Sequence, residues 1–240
     1  MIRSFTFKAV TAATLSMVAM TSAGAQTSVL NIVGGVRALN QPGTGGADLL
    51  LDFIIPQTSS VGVPGAVSAT IGSTGIFAST PFGTAGTMQD LVFSNGGLVG
   101  SNQGGAITPA PVANALSIGG YSFTFMTAPN ATSGGSSFGP ISLTTTSEGT
   151  AAAFAVTGTV TGPGLGSTAQ AFNGIFSTTF INETPAQVFN AVNSGGTLST
   201  GFNAQFSVTP MTTTPEPATY ALLATGLGAL GLVARRRRQA

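Results

Sequence analysis

The chain has 240 residues, of which only 7 are lysine or arginine and 6 are aspartate or glutamate, so 5% of the residues are charged, against about 25% in an ordinary soluble domain. Histidine, cysteine and tryptophan are absent. A chain without histidine and cysteine cannot form a Cys/His zinc site, a Ser-His-Asp triad or a Cys-His dyad.

The first 25 residues have the three parts of a secretory signal peptide. Two basic residues precede an apolar stretch, residues 9–20. This stretch is too short to span a bilayer as a mature helix. Ala23 and Ala25 are the small residues that a signal peptidase accepts, and this predicts cleavage before Gln26. We therefore expect the Sec machinery to export the chain across the inner membrane.

Residues 26–209, the body of the protein, alternate short β-favouring runs with turns rich in glycine, proline, asparagine and serine. Residues 121–125 and 202–208 have a strict two-residue period, which is typical of half-buried strands. Less regular runs of the same kind are residues 29–38, 48–55, 67–77, 88–93, 141–146, 151–161 and 171–180. About nine strands of this length predict an all-β body, an antiparallel β-sandwich or jelly-roll-like fold. We expect phenylalanine, valine, isoleucine and leucine to fill its core.

One segment of the body has a helical signal instead. Thr184 is followed by Pro185 at the first helical position and by Gln187 three residues after the cap, which is the capping-box arrangement. Two glycines, residues 195–196, end the pattern. We predict one short helix over residues 185–193 and long loops over residues 40–46 and 94–105.

The body offers few groups for chemistry. Its one basic residue is Arg37, and the acidic residues are Asp48, Asp52, Asp90, Glu148 and Glu183. A nucleophilic serine or threonine has no histidine or lysine here to activate it. The sequence therefore predicts no catalytic residues, no cofactor and no metal site, and a body that is acidic overall excludes nucleic-acid binding.

The C-terminal end combines three differently constrained elements. A Thr/Pro linker, residues 210–214, leads into Pro215, Glu216 and Pro217, which cannot continue a helix and predict an extended, accessible segment. Residues 218–234 are uncharged and form a predicted transmembrane helix. The four arginines that follow hold that end of the helix on the cytoplasmic side; they are Arg235, Arg236, Arg237 and Arg238.

This tail, residues 215–240, resembles the PEP-CTERM protein-sorting domain. The resemblance is carried by Pro215, Glu216 and Pro217, the short apolar helix and the terminal arginine cluster. It implies recognition by an exosortase, an integral membrane enzyme that is thought to cut near the Pro-Glu-Pro segment and release or transfer the exported part. It also implies a Gram-negative bacterium that makes exopolysaccharide and forms biofilms.

The resulting expectation is an exported, non-enzymatic surface or extracellular-matrix protein. The tail anchors it in the inner membrane, transiently or permanently, before it reaches the cell surface or matrix. Exopolysaccharide and further copies of the chain are the other partners that the sequence leaves open. One alternative is a carbohydrate-binding adhesin that contacts glycans through the loops 94–105 or 133–139, and the least favoured is a carboxylate-dependent hydrolase that uses two of the five body acids.

Overall fold

Alternation of large apolar and small polar residues builds most of this protein as β-strands. The structure is a computed structural model and describes residues 27–40, 49–54, 63–94, 97–103, 106–129, 137–138, 140–209 and 225. The strands are β1 (Ser28–Asn40), β2 (Leu49–Ile54), β3 (Gly65–Ala69), β4 (Ala85–Met88), β5 (Asp90–Ser94), β6 (Gly97–Gln103), β7 (Ala106–Pro109), β8 (Val112–Ile118), β9 (Tyr121–Thr127), β10 (Ser137–Phe138), β11 (Ile141–Thr145), β12 (Gly149–Thr161), β13 (Gln170–Ile181) and β14 (Thr197–Val208).

Eight of these strands form a closed ring of antiparallel pairs. The order around the ring is β1, β14, β13, β12, β9, β8, β4, β3 and again β1. The prediction of an antiparallel all-β body with one short α-helix is confirmed for the described residues. The predicted sandwich is not confirmed, because the strands belong to one continuous sheet instead of two separate sheets.

Two long strands extend the sheet beyond the ring. Along one edge, β1 pairs first with β3 and then, over residues 35–40, with β2. In the same way β12 pairs with β9 near its C-terminal end and with β11 over residues 150–153. The strands β2, β5, β6 and β7 therefore form one extension, and β11 and β10 form the other.

The core is rich in phenylalanine, as the sequence predicts. Phe206 is fully buried, and its ring centroid lies 5.0 Å from that of Phe123 and 5.6 Å from that of Phe176. Phe206 and Phe176 lie on the paired strands β14 and β13, whereas Phe123 lies on β9, which does not pair with either of them. Edge-to-face and tilted pairs of this kind add to the stabilisation from burial alone.

The predicted helix is confirmed as α1 (Pro185–Asn193) with its capping box. The Thr184 hydroxyl accepts a hydrogen bond from the Gln187 amide, and the Gln187 side chain accepts one from the Thr184 amide. Val188 and Val192 form its buried face. The helix packs against β14, β1 and β11.

Some local predictions were wrong. Residues 67–77 were expected as one strand, but β3 ends at Ala69 and Gly75–Ser79 form a short 3₁₀ helix. Most of the predicted loop over residues 94–105 is strand β6, which pairs with β5 and β7. Its glycines and polar residues give little strand signal of their own, so the pairing comes from its neighbours.

The body, Gln26–Pro210, is one compact unit, with its own core. The predicted signal peptide and transmembrane helix lie outside the described residues, except for residue 225, and remain predictions. In the part of the chain that the structure describes, no helix has the length and hydropathy of a membrane span.

Candidate functional site

The body begins and ends at one place. Ser28, at the start of β1, pairs with Val208, at the end of β14, and Val208 also pairs with Phe172 on β13. Ser28 and Val208 are buried, and the Ser28 hydroxyl accepts a hydrogen bond from the Ile76 amide at 3.1 Å. The chain therefore enters and leaves the body at the same end, and both ends are held by the sheet.

The body's arginine lies in a polar row across β1, β2 and β5. Arg37 and Asp52 are cross-strand neighbours, and both Nε, at 2.9 Å, and Nη2 of the guanidinium donate to Asp52 Oδ2. Continuation of the β2–β5 register places Asp90 beside Asp52, and Asp90 Oδ1 accepts a hydrogen bond from the Phe53 amide at 3.0 Å. Asp90 in turn pairs in register with Asn102.

This row is closed to substrates. The exposed fractions of Asp52 and Asp90 are 0% and 1%. Asp52 can be buried because Arg37 neutralises its carboxylate. The pairing of Asp52 with Asp90 could not be found from sequence, since the two residues lie on separate strands of unknown register.

Glu148 lies in the turn between β11 and β12, and Glu183 lies in the turn between β13 and α1. The amide of Asn182 donates to the Glu148 carbonyl at 2.9 Å, and the Thr150 hydroxyl donates to the Glu183 carbonyl at 2.6 Å. Glu148 is exposed and Glu183 half-buried. Asp48 lies outside the described residues. In the residues that the structure covers, no three acidic side chains are grouped as metal ligands.

An apolar cavity lies beneath α1. Val188 and Val192 face it from the helix, and Leu51, Phe154 and Phe176 from the sheet. Its volume is about 50 Å³, whereas an apolar cavity that binds benzene measures about 150 Å³. The space is therefore a packing gap and too small for a ligand.

A second depression, the outer groove, lies on the outside of β1, β14 and β13. It measures about 370 Å³ and is lined by Asn31, Ile32, Thr70, Ile175, Ser177, Asn203, Ala204 and Gln205. Asn203, Gln205, Ser177 and Ile175 are exposed. Sequence reasoning missed this site, although the alternation in β14 already shows that Asn203 and Gln205 share one face.

The glycan-contacting loops expected from the sequence are not supported by the described residues. Ser101 and Asn102, within the first of these loops, are 1% and 2% exposed. Residues 133–136 and 139 of the second loop lie outside the described part. Tyr121 is buried as well, where its hydroxyl donates to the Ile76 carbonyl at 2.6 Å and its ring packs edge-on against Phe77.

The predicted sorting and processing residues all lie outside the described residues. They are Ala23, Ala25 and Gln26 at the signal peptidase site, Pro215, Glu216 and Pro217 at the sorting signal, and Arg235, Arg236, Arg237 and Arg238 at the C-terminal end. Their roles remain predictions at the level of single residues.

Comparison with known families identifies the tail. The chain matches the PEP-CTERM protein-sorting motif over residues 213–238, and this motif implies an exported protein that its C-terminal tail anchors in a membrane. By this motif the chain is a PEP-CTERM protein. Comparisons with curated proteins and with solved structures gave no match.

Proposed function

We propose that this is a non-enzymatic surface or extracellular-matrix protein, which an exosortase cleaves near Pro215. The observation that carries the proposal is the sorting motif over residues 213–238, placed directly after a body that has its own closed sheet and core. The final location is the cell surface or the exopolysaccharide matrix of a Gram-negative, biofilm-forming bacterium.

Each part of the tail has a physical role in this account. Residues 218–234 hold the exported chain in the inner membrane until it is processed. The four terminal arginines keep their end of the helix in the cytoplasm. We expect Pro215 and Pro217 to prevent the helix from extending outwards and to keep Glu216 on an extended backbone that a protease can bind.

The body is suited to release. Its last strand is held by twelve cross-strand pairs to β1, from Ser28 with Val208 to Leu39 with Thr197. A cut near Pro215 falls after this strand and removes nothing from the sheet. The released product would therefore keep the complete body.

The distribution of ionisable groups supports a non-enzymatic role. Among the described residues, Arg37, Asp52 and Asp90 are used within the buried row. The outer groove contains no ionisable side chain. General acid–base catalysis needs a titratable group within hydrogen-bond reach of a bound substrate, and the groove offers none.

Low surface charge fits a polysaccharide environment. A surface of Ser, Thr, Asn, Gln and Gly is little affected by salt, and it has little net charge to oppose association with other chains. The outermost strands of the two sheet extensions, β7 and β10, are the edges at which further copies would add. Self-association is therefore a second proposed interaction.

Variants of the tail test the proposal in the native host. Glu216→Gln is expected to leave export intact and to leave unprocessed chain in the inner membrane, while the matched body variant Glu183→Gln is processed normally. Replacing all four terminal arginines by glutamate is expected to impair retention and processing, and replacing them by lysine is not, because orientation depends on positive charge. Normal processing of both Glu216→Gln and the glutamate variant would refute the role of the tail.

A carbohydrate-binding adhesin is a second candidate function. The observation that favours it is the outer groove, an exposed depression lined by amides and hydroxyls on a domain that is exported. It lies on the strands, and not on the loops that the sequence indicated.

A further inference from the structure

We propose that the outer groove is a binding site for an uncharged glycan. This inference rests on the proposed carbohydrate-associated function and names the site and the chemistry of the ligand. Four polar side chains and one exposed apolar side chain carry it: Asn31, Ser177, Asn203, Gln205 and Ile175.

The strand register arranges these side chains as a two-by-three grid. In one row, Ile175 on β13 is opposite Gln205 on β14, which is opposite Asn31 on β1. In the next row, Ser177 is opposite Asn203, which is opposite Val33. Adjacent strands lie about 4.8 Å apart, and residues two apart on one strand about 7 Å. The grid therefore has the dimensions of one or two sugar rings.

The polar groups of the grid are partly oriented and partly free. Gln205 Nε2 donates to Asn31 Oδ1 at 3.1 Å, so the two amides hold each other in place. The backbone amide of Asn31 also donates a hydrogen bond of 3.4 Å to the Ser73 hydroxyl. Within the described residues, the side chains of Asn203 and Ser177 have no protein hydrogen-bond partner, and Gln205 Oε1 is an unused acceptor. These groups are available to sugar hydroxyls, which both donate and accept.

An apolar contact completes the site. Ile175 is 56% exposed and lines the groove beside the polar side chains. Sugars have an apolar face of C–H groups and a rim of hydroxyls, so an exposed aliphatic side chain beside fixed amides matches both. Neither tryptophan nor an exposed tyrosine is available in the described body, so Ile175 takes the place of an aromatic platform.

Charge selects among glycans. β13 and β14 contain no ionisable residue, and the ionisable residue of β1, Arg37, is bound to Asp52. A carboxylated or sulfated glycan would find no cation on this face and would leave its charge uncompensated. A neutral glycan has no charge to compensate, and its hydroxyls can replace hydrogen bonds to water by hydrogen bonds to the amides.

Isothermal titration calorimetry tests the inference with the full chain in a non-ionic detergent that lacks a sugar headgroup. The probes are neutral hexasaccharides of glucose, galactose and mannose, and an alginate hexasaccharide as the anionic comparison. We expect at least one neutral probe to bind and alginate not to bind. The double variant Asn203→Ala/Gln205→Ala should weaken binding about tenfold or more, since two hydrogen bonds are lost.

The matched control is Asn173→Ala. Asn173 is an exposed asparagine on the same outer face of β13, opposite Ser207 and outside the groove, so binding should change less than twofold. Absence of binding by all three neutral probes at millimolar concentration, binding of alginate alone, or equal affinity of the double variant would overturn the inference. Sedimentation gives one further result that would overturn the inference. If the protein is a dimer that the double substitution dissociates, and no sugar binds, the face is an interface with a second copy of the chain.

The same variants separate this inference from the proposed sorting. Their processing in the native host is read by intact mass. Loss of sugar binding with normal processing supports the groove without touching the tail. Failure of the tail to direct processing, with sugar binding retained, would refute the proposed sorting and leave the groove assignment standing.

Discussion

Ser28 and Val208 are cross-strand neighbours at the end of the body where the chain both enters and leaves it. Both residues are buried, and Val208 is also paired with Phe172. The sheet is thus complete before the chain reaches the sorting motif at residue 213. In the proposed function, a membrane enzyme can therefore cut the tail while the body remains folded.

The Arg37–Asp52 pair predicts a strong dependence of stability on Arg37. Replacing Arg37 by alanine would leave the fully buried Asp52 carboxylate uncompensated, so we expect the free energy of unfolding to fall by about 3 kcal/mol. The measurement is urea unfolding at neutral pH. In the control Arg37→Met/Asp52→Leu both charges are removed, and this variant should be more stable than Arg37→Ala; the reverse order would contradict the account.

The aromatic core predicts a sharp contrast between two phenylalanines. Phe206 is fully buried among other rings, so Phe206→Ala should cost about 4 kcal/mol through lost burial and a cavity. Phe82 is 74% exposed, and Phe82→Ala should change the stability by no more than about 0.5 kcal/mol. Thermal unfolding of the two variants side by side gives the comparison. Equal melting temperatures would show that the ring interior is not packed as described.

Two strand glycines predict opposite outcomes for the same substitution. A Cβ at Gly158 would overlap the carbonyl oxygen of Thr124, at the point where the register between β12 and β9 shifts. Gly158→Ala should therefore destabilise the protein by about 2 kcal/mol or more, because the two strands must separate. At Gly201 the nearest atom is 3.8 Å away, and alanine should be tolerated. Denaturant midpoints decide the matter, and a tolerated Gly158→Ala would contradict the β9–β12 contact.

The capping box of α1 predicts a smaller effect. Thr184→Ala removes the hydroxyl that accepts from the Gln187 amide, and the expected loss is about 1 kcal/mol. Thr184→Ser keeps that hydroxyl and should restore most of the stability. Unfolding followed by circular dichroism measures both variants. If serine and alanine were equally destabilising, the cap would not be the cause.

The sequence was most informative where the signal is local. The helix was predicted correctly because its start is marked within four residues, by the cap and capping box of Thr184, Pro185 and Gln187. The strand at residues 202–208 was predicted because its alternation is strict, and its buried residues are those expected. In contrast, β8 was missed, since its burial follows no two-residue period and its pairing with β9 shifts register.

Closure of the sheet could not be predicted, because it depends on pairing between distant residues. Ser28 and Val208 meet across nearly the whole body, and no local pattern encodes that contact. The same holds for the outer groove, where Asn31 and Gln205 come together only after β1 and β14 are paired. The tail was predicted from sequence because its elements are contiguous, and the match over residues 213–238 bears out the PEP-CTERM assignment.

The central proposal is that the tail directs membrane anchoring and cleavage of an exported, non-enzymatic body. The most direct test is the intact mass of the protein recovered from native cells and from their medium or matrix, with and without the host's exosortase. The account predicts a product that begins near Gln26 and ends near Pro215, made only when the enzyme is present. A product that keeps the terminal arginines in the membrane of both strains would contradict cleavage and make the tail a permanent anchor.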